Sequence, residues 1–397
     1  GRAARIAVLS WPEEAALSMS DAGAGVVLLG GGVVGLTTAL LLRQRGMAVT
    51  LVERARAGTE ASWAGAGMLP PGRAVQSESA EARLRSFSFE CWPKLNDLLR
   101  RLTGEDNGYR VCGSVLLADT SGEAAAEAMR WQRDGVAAEA LEGADLRRRI
   151  PQLKANWSAA TWLPEFAQVR NPWHLRVLQN ACLKAGVMIL EQAGEAVLEQ
   201  HSGRIIAVRL SDRTLVPTAV CLTSGAWTGT ILEQFGIPIP IRPIRGQMVL
   251  LQTQPGWLPH VIESGRRYLV PREDGLILVG STEEDAGFCR STTVSGVRGL
   301  LEFACDLSPE LQSAPVVKTW AGLRPGTPDG LPFLGLVTGF ENLFAGAGHF
   351  RSGLQMSAGT AEILCELILT GRSPLNLSGL AFDRFVIADM RGPSCER

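Results

Sequence analysis

Residues 26–53 read VVLLGGGVVGLTTALLLRQRGMAVTLVE, and this stretch decides the fold class. The apolar run VVLL is typical of a strand that is buried on both faces. Gly30, Gly32 and Gly35 then fit the pattern G-x-G-x-x-G, whose glycines permit a tight turn, a close approach to a pyrophosphate and close helix–strand packing. The segment LTTALLLRQRG predicts a helix that starts at Leu36 and ends at Gly46, and the N–H groups at a helix start favour phosphate.

A second apolar run, AVTLVE, ends in the acidic residue Glu53. A carboxylate at this place in a strand–helix–strand unit accepts hydrogen bonds from a ribose and disfavours a 2′-phosphate. The stretch therefore predicts a dinucleotide site for FAD or NAD, and not for NADP. The alternative is a glycine-rich turn in an unrelated α/β fold.

Composition narrows the possible functions. The chain has 397 residues, of which 46% are hydrophobic and 20% are charged, and its formal net charge is −1. It has no basic run and no apolar run of membrane-spanning length, so we expect neither nucleic acid nor a membrane as a partner. The eight cysteines form no CxxC pair and no cluster with histidine, which predicts free thiols, a cytoplasmic location and no metal site. The first 22 residues include Glu13 and Glu14 and lack an apolar core segment, so we expect no secretory signal.

Five further motifs follow in order: ASWAGAGMLPP (61–71), RGQ (245–247), YLVPR (268–272), WAGLRPGTPDG (320–330) and GAGHFRSG (346–353). Together with the glycine loop they resemble the flavin amine oxidases of the D-amino acid oxidase superfamily. The resemblance is greatest to the glycine oxidase branch that is associated with thiamine biosynthesis, and it extends from about residue 25 to about residue 385. It implies that the cofactor is FAD.

The resemblance also implies the architecture. It predicts an α/β fold with a discontinuous, Rossmann-like FAD-binding domain and a substrate domain that combines an antiparallel sheet with helices. The expected boundaries are 24–72, 165–235 and 319–385 for the FAD-binding domain, and 73–164 and 236–318 for the substrate domain. From the residues alone, 73–164 reads as mostly helical, whereas QMVLLQT, RRYLVPRE and GLILVGST in 236–318 read as strands of a sheet that covers the flavin.

The C-terminal part of the sequence contains a second strand–glycine–helix junction. NLFAGAG reads as a strand that ends in Gly346 and Gly348, and SGLQMSAGTAEILCELILTG has helical periodicity. The expected core positions of this helix are Leu354, Ala358, Ile363, Leu367 and Leu369. In the family this part returns beneath the flavin, where a helix start could polarise the ring. The alternative is an ordinary C-terminal strand–helix unit.

The resemblance implies a set of FAD contacts. In the first strand–helix–strand unit they are Gly30, Gly32, Val33, Val34, Gly35, Glu53 and Arg54. In the next motif, small residues would let the backbone run against the flavin at Ala61, Ser62, Ala66, Gly67 and Met68. Later in the chain the contacts are Val197, at an adenine-facing position, and Gly348, His349, Phe350, Arg351, Ser352, Gly353, Leu354 and Gln355. Related sarcosine oxidases attach flavin through a cysteine in the segment that matches AGLRP, and since this sequence has none there, we expect non-covalent FAD.

Arg324 is the candidate ligand for the substrate carboxylate. It lies in an apolar, glycine-rich segment, and its planar guanidinium suits bidentate binding of a carboxylate. The alternative partner is a structural acid such as Asp329. By resemblance, the phenol of Tyr268 adds a hydrogen bond to the same carboxylate and Arg351 contacts substrate. The alternative for Tyr268 is a core tyrosine whose hydroxyl is satisfied within the protein. We do not expect His349 to act as a general base.

The implied reaction is oxidative deamination of glycine or a related small or N-substituted amino acid. A hydride passes from Cα to flavin N5, the imine is hydrolysed, and O2 reoxidises the flavin to give H2O2. Alternatives are an oxidase of sarcosine or N-alkylglycines in a specialised pathway, a D-amino acid oxidase, a dehydrogenase with another acceptor, or a flavoprotein without amine oxidation. The size of the substrate's second substituent stays open. It also stays open whether the Glu283 side chain, near Arg266, faces the substrate or the solvent. A homo-oligomer is possible on family grounds.

Overall fold

The computed structural model describes residues 25–385, and the statements below refer to these residues. The predicted absence of a secretory signal in residues 1–22 lies outside them. Strands and helices are numbered in chain order.

A six-stranded sheet forms the centre of the first layer. Its strands are β1 (Val26–Leu29), β2 (Val49–Val52), β9 (Met188–Leu190), β13 (Ala219–Leu222), β20 (Phe333–Leu336) and β21 (Leu343–Ala347). Their spatial order is β20–β21–β13–β1–β2–β9, and every neighbouring pair is parallel except β20 with β21. The β1 residues are all buried, as expected of a central parallel strand. The sheet therefore joins the first and the last strands of the described chain.

Long helices pack against this sheet and against one another. They are α1 (Val33–Gln44), α3 (Ala80–Thr103), α6 (Asn171–Lys184) and α9 (Gly353–Thr370). Helix α1 begins at Val33 and not at the predicted Leu36, because Gly32 is extended and its neighbours enter the first turn directly. In α9 the predicted core positions Ala358 and Ile363 are buried, and Leu354, Leu367 and Leu369 are partly buried against the same core.

A nine-stranded, mostly antiparallel sheet forms the second layer. Its strands are β5 (Ser114–Ala118), β6 (Glu139–Glu142), β7 (Ala159–Leu163), β14 (Arg242–Gln252), β15 (Val261–Ser264), β16 (Arg267–Pro271), β17 (Leu276–Gly280), β18 (Glu284–Asp285) and β19 (Val316–Gly326). The pair β5 and β15 is parallel, and the other pairs of this sheet are antiparallel. Because β5, β6 and β7 belong to this sheet, the segment 73–164 is less helical than its composition suggested.

The remaining elements are short or peripheral. Two three-stranded sheets contain β3 (Met68–Leu69), β4 (Arg110–Val111) and β8 (Ala167–Gln168), and β10 (Val197–His201), β11 (Arg204–Arg209) and β12 (Thr214–Leu215). The other helices are α2 (Ala61–Ala64), α4 (Ser121–Arg133), α5 (Gly143–Arg149), α7 (Thr228–Glu233) and α8 (Val294–Leu307). Short 3₁₀ turns occupy Gly225–Trp227, Pro309–Ser313 and Phe350–Ser352. Among residues 25–385, no helix has the length and apolar character to cross a bilayer.

Strand β19 brings the two layers together. It pairs over most of its length with β14 of the predicted substrate domain. Residues 319–326 of β19 nevertheless fall in the segment predicted for the FAD-binding domain. It also passes close to α2, since a Cβ on Gly322 would lie only 2.4 Å from the Cβ of Ala64. The small residues of both segments thus permit a contact that places the second half of β19 at the boundary between the layers.

Candidate active site

The turn between β1 and α1 forms one end of a cavity of about 660 Å³. Gly30 has a φ of +112°, and a Cβ there would lie 2.5 Å from the carbonyl oxygen of Thr223. Gly35 lies behind the turn, where a Cβ would come within 2.0 Å of the carbonyl oxygen of Gly30. The N-cap residue Gly32 has no side chain to cap the start of α1, and Gly32, Val33 and Val34 line the cavity. This end of the cavity is a helix N-terminus suited to phosphate.

Glu53 follows β2 and lines the same end of the cavity. Its Oε2 accepts a hydrogen bond from the Gly31 N–H at 2.8 Å, and its Oε1 accepts one from the Ala55 N–H at 2.9 Å. The carboxylate is thereby held in place beside the helix start, with further lone pairs for ribose hydroxyls. Arg54 and Val197 line the adjacent wall.

Helix α2 and the residues after it form the middle of the cavity. The Ser62 hydroxyl accepts the Val33 N–H at 3.0 Å, which joins α2 to the start of α1. The Asn171 Nδ2 donates to the Ser62 carbonyl at 2.6 Å, but its buried Oδ1 has no partner among the described residues. The predicted contacts Ala61, Ser62, Ala66, Gly67 and Met68 all line this wall.

The turn between β21 and α9 forms the opposite wall. Gly348 and Phe350 have positive φ values of 83° and 49°, so the chain turns sharply before α9 begins. His349 is buried and its Nε2 lies 2.9 Å from the Thr360 hydroxyl. Burial lowers the pKa of His349 to about 4, so the imidazole is neutral at pH 7 and already engaged. The expectation that His349 does not act as a general base stays a prediction.

Arg324 reaches the cavity from β19 without a carboxylate partner among the described residues. Its Nη2 donates to the Ser281 hydroxyl at 2.6 Å, and its Nη1 donates to the Thr282 carbonyl at 3.1 Å. Asp329, the alternative partner, instead accepts a hydrogen bond from Arg384 Nε at 2.9 Å. A Cβ on Gly246 would lie 2.1 Å from this guanidinium, so only glycine lets it lie against β14. A cation that has only neutral acceptors keeps its capacity to bind an anion.

Tyr268 and Arg351 line the cavity beside Arg324. The Tyr268 ring is buried, and its hydroxyl has only a long contact of 3.6 Å to the Met248 sulfur. Burial, together with the like charge of Arg324, lowers the pKa of Arg351. Two guanidinium groups and a phenol that face one space form a site for a carboxylate.

Glu283 lies behind this wall and not in the cavity. It forms ion pairs with Arg266 at 2.9 Å and with Arg351 at 3.5 Å, and it is absent from the residues that line the cavity. The Glu283 carboxylate points neither into the cavity toward substrate nor freely into solvent, because it is partly exposed and forms ion pairs with two arginines. It therefore acts on the site through Arg351.

The structure brings nearly all of the predicted site residues to one continuous cavity. Of the predicted cofactor and substrate contacts, all line it except Gly35 and Gly348, which lie behind its walls. No cysteine among residues 25–385 lines the cavity. Within the same residues no cluster of histidine, cysteine, aspartate and glutamate has the arrangement of a metal site.

Several lining residues were missed by the sequence analysis. Glu263 faces the cavity from β15, its Oε1 accepts a hydrogen bond from the Ser114 hydroxyl at 3.0 Å, and burial raises its pKa. In the hairpin VIESGRRY, Glu263 lies opposite Tyr268. The turn GR between the two strands could therefore have predicted that Glu263 lies near Tyr268. Arg85 of α3 had no such signal, and neither had the apolar lining residues Leu116, Trp131, Leu163, Phe166 and Met248.

These features fit a dinucleotide that carries a ring to the Arg324 end of the cavity. The helix start and Glu53 suit a pyrophosphate and a ribose, and Asn171, whose buried Oδ1 has no partner among the described residues, lines the same cavity. A family model described as "FAD dependent oxidoreductase" matches residues 25–367. The chain belongs to the FAD-dependent oxidoreductase family. Its cofactor is therefore FAD, as the sequence analysis predicted.

Individual members of the family sharpen this placement. The glycine oxidase of Pseudomonas putida is 36% identical over 88% of this chain and 95% of its own length. The bifunctional protein ThiO/ThiG of Trichormus variabilis is 32% identical over 91% of this chain and 55% of its own length. The crystal structure of glycine oxidase from Geobacillus kaustophilus has a TM-score of 0.83 at 29% identity, and covers 90% of this chain and 98% of that one. The mixed α/β fold and the assignment as an FAD-dependent amine oxidase are thus confirmed.

Proposed function

We propose that this flavoprotein oxidises glycine or a related small or N-substituted amino acid, with non-covalently bound FAD and with O2 as the electron acceptor. The observation that carries the proposal is Arg324, a guanidinium that lines the cavity and has only neutral hydrogen-bond partners. The relatives named glycine oxidase support the substrate class. The absence of a lining cysteine among the described residues supports non-covalent binding.

The chain's own residues bind and orient the substrate. Arg324 holds the carboxylate through its two terminal nitrogens, and the Tyr268 hydroxyl donates a further hydrogen bond to it. Arg351 adds positive charge to the same space, which favours the carboxylate over a neutral group. With the acid group fixed at these points, the amine-bearing carbon has a defined position, which is the proximity contribution to catalysis.

FAD, when bound, supplies the two-electron oxidation of the amine and passes the electrons to oxygen. Glu53, Ser62 and the start of α1 would hold its nucleotide half, and residues 349–355 would lie beside its ring. Neutral, hydrogen-bonded His349 contributes shape and a polar contact there and no proton transfer.

The range of amines is tested by a peroxide assay with glycine, sarcosine, D-alanine and bulkier N-carboxymethyl amines. We expect peroxide with glycine or sarcosine. Activity limited to D-alanine would favour a D-amino acid oxidase. If no amine yields peroxide, anaerobic reduction of the bound flavin by the same amines distinguishes a dehydrogenase from a protein that does not oxidise amines.

The decisive variant is Arg324→Ala. Loss of one partner of a buried charge pair costs about 2–5 kcal/mol, so KM should rise by about 30-fold to several thousand-fold while the flavin stays bound. Arg384→Ala is the matched control, because Arg384 already pairs with Asp329 and lies outside the cavity. It should leave KM unchanged even where it lowers thermal stability. A KM that is unaltered in Arg324→Ala would refute the proposal.

A further inference from the structure

Arg272 is a buried cation that the proposed reaction does not use. It follows β16 at the end of the YLVPR motif, and its side chain donates to the Gln168 amide oxygen, to the Val169 carbonyl at 3.1 Å and to the Ala66 carbonyl at 2.7 Å. Its Nε has no partner among the described residues. No carboxylate of residues 25–385 forms an ion pair with it. Asp274 pairs with Arg170 at 2.6 Å and acts on Arg272 only from beyond ion-pair distance.

This arrangement is costly for stability. A buried charge that is compensated only by dipoles loses its hydration without gaining a counterion. Burial, with a smaller contribution from Arg170 and Arg110, lowers the pKa of Arg272 to about 9, so the group remains charged at pH 7. Because this buried cation lowers stability, its presence at the end of a strand points to a functional role.

The position of Arg272 supplies that reason. Its partner Ala66 lines the cavity, and so does the adjoining Gly67. Gly67 has a φ of +80°, and a Cβ there would lie 1.9 Å from the Val169 carbonyl oxygen, which also accepts from Arg272. Ala66 packs in one cluster with Tyr268, so this wall belongs to the end of the cavity where the substrate groups gather. The guanidinium thus lies directly behind the wall that a flavin ring would touch.

We propose that Arg272 is a positioning residue for the Ala66–Gly67 wall and that its uncompensated charge raises the reduction potential of the bound flavin. Reduction adds electrons to the ring, and a nearby cation in a region of low dielectric stabilises the more negative state. With no counterion beside it, the charge is not cancelled at short range. The proposal concerns the cofactor that the family establishes, and it stands independently of which amine is oxidised.

Arg83 provides a matched control elsewhere in the same protein. It is also buried, and its guanidinium donates only to carbonyl oxygens, those of Ser77, Glu78, Asn376 and Ser378. Neither Arg83 nor these partners line the cavity. Both guanidinium groups are therefore buried and bound only to neutral oxygen atoms, and they differ in whether the charge adjoins the flavin wall.

Gln168 offers a way to cancel the charge without removing Arg272. Its amide oxygen already accepts from the guanidinium, so Gln168→Glu places a carboxylate at the same distance with almost the same shape. Gln168 is buried and does not line the cavity, and the one donor contact that the change removes is the bond from Nε2 to the Cys112 sulfur at 3.2 Å, away from the guanidinium.

The test is the midpoint potential of the bound flavin in the holoenzyme, measured by chemical reduction against a reference dye without any amine. Arg272→Gln and Gln168→Glu should both destabilise the reduced flavin by at least tenfold, which for a two-electron couple is a fall of about 30 mV. Arg272→Lys keeps the charge and should retain most of the potential. It should bind FAD more weakly, because an ammonium group cannot replace the separate guanidinium hydrogen bonds to the Ala66 and Val169 carbonyls that hold the wall. Arg83→Gln should lower thermal stability and leave the potential unchanged.

An unchanged potential in Gln168→Glu, or an equal fall in Arg83→Gln, overturns the proposal. If Arg272→Gln does not fold, Gln168→Glu decides the question alone, since it deletes no hydrogen bond to the guanidinium. A holoenzyme that shows these shifts but oxidises no amine would contradict the proposed substrate class and leave the role of Arg272 standing.

Discussion

At the nucleotide end of the cavity the contacts come mainly from backbone. The start of α1 and the glycines around it approach the ligand because side chains are absent, and the Glu53 carboxylate is the main side-chain feature. At the other end Tyr268, Arg324 and Arg351 reach in from two strands and a turn that are far apart in sequence. The comparison predicts that one added carbon atom at the nucleotide end abolishes FAD binding. At the other end, single substitutions should change substrate binding by degrees.

Gly35→Ala is expected to give the largest effect. The added Cβ would lie 2.0 Å from the Gly30 carbonyl oxygen, which is backbone and cannot move without opening the turn. We expect purified protein with little or no FAD, measured as flavin absorbance per chain. Gly299→Ala is the control, because Gly299 is also helical but its Cβ would find its nearest neighbour at 3.7 Å. That variant should keep its flavin and gain up to about 1 kcal/mol in stability. Full FAD occupancy in Gly35→Ala would contradict the all-or-none behaviour of this end.

A smaller effect concerns the core that supports both ends. Burial lowers the pKa of His174 to about 3 from an ordinary 6.5, so the folded state favours the neutral imidazole. The stabilisation is complete above pH 6.5 and is lost as the pH falls toward 3. At pH 5 the loss is about 2 kcal/mol, and His349 adds to it in the same direction.

His174→Gln should therefore reduce the difference in the free energy of unfolding between pH 7 and pH 5. The measurement is denaturant unfolding at the two pH values. His201→Gln, at an exposed histidine of β10, is the control and should leave the difference unchanged. An identical pH dependence in the wild type and His174→Gln would show that this histidine does not carry the acid sensitivity.

The smallest effect is a graded change at the substrate end. Burial raises the pKa of Glu263, so its negative charge develops in the cavity only as the pH rises through that shifted value. The charge repels a carboxylate, so acetate should bind to the wild type more weakly as the pH rises through the titration of Glu263, by roughly a few-fold. Glu263→Gln should abolish this difference, whereas Glu283→Gln, outside the cavity, should retain it. Equal pH dependence of the acetate dissociation constant in all three proteins would remove Glu263 from the site.

The nucleotide end was predictable because its information is local in sequence. The strand, the three glycines, the helix and the acidic residue occur within 26–53, and their spacing alone predicts a phosphate-binding turn. The start of α1 was displaced to Val33 because a dihedral angle at Gly32, and not an apolar period, determines where a helix begins. The cofactor itself became predictable only through the resemblance of the five later motifs.

The substrate end was predictable only in part. Arg324 stood out because an arginine among glycines needs an anion, but its partners Ser281 and Thr282 depend on how β19 lies beside β14. Glu263 became visible only through the register of a hairpin, and Arg85 enters from a helix that carries no motif. Which side chains from different strands come together depends on the tertiary structure, and local sequence patterns do not show it.

The six-stranded sheet has a consequence for biosynthesis. β1 lies against β13, and β13 lies against β21, which the ribosome delivers some 300 residues after β1 has emerged. The turn before α9 arrives later still, so a nascent or prematurely terminated chain lacks one wall of the cavity. We therefore expect flavin loading to be a late event in the maturation of this protein, and an unfinished chain to be colourless.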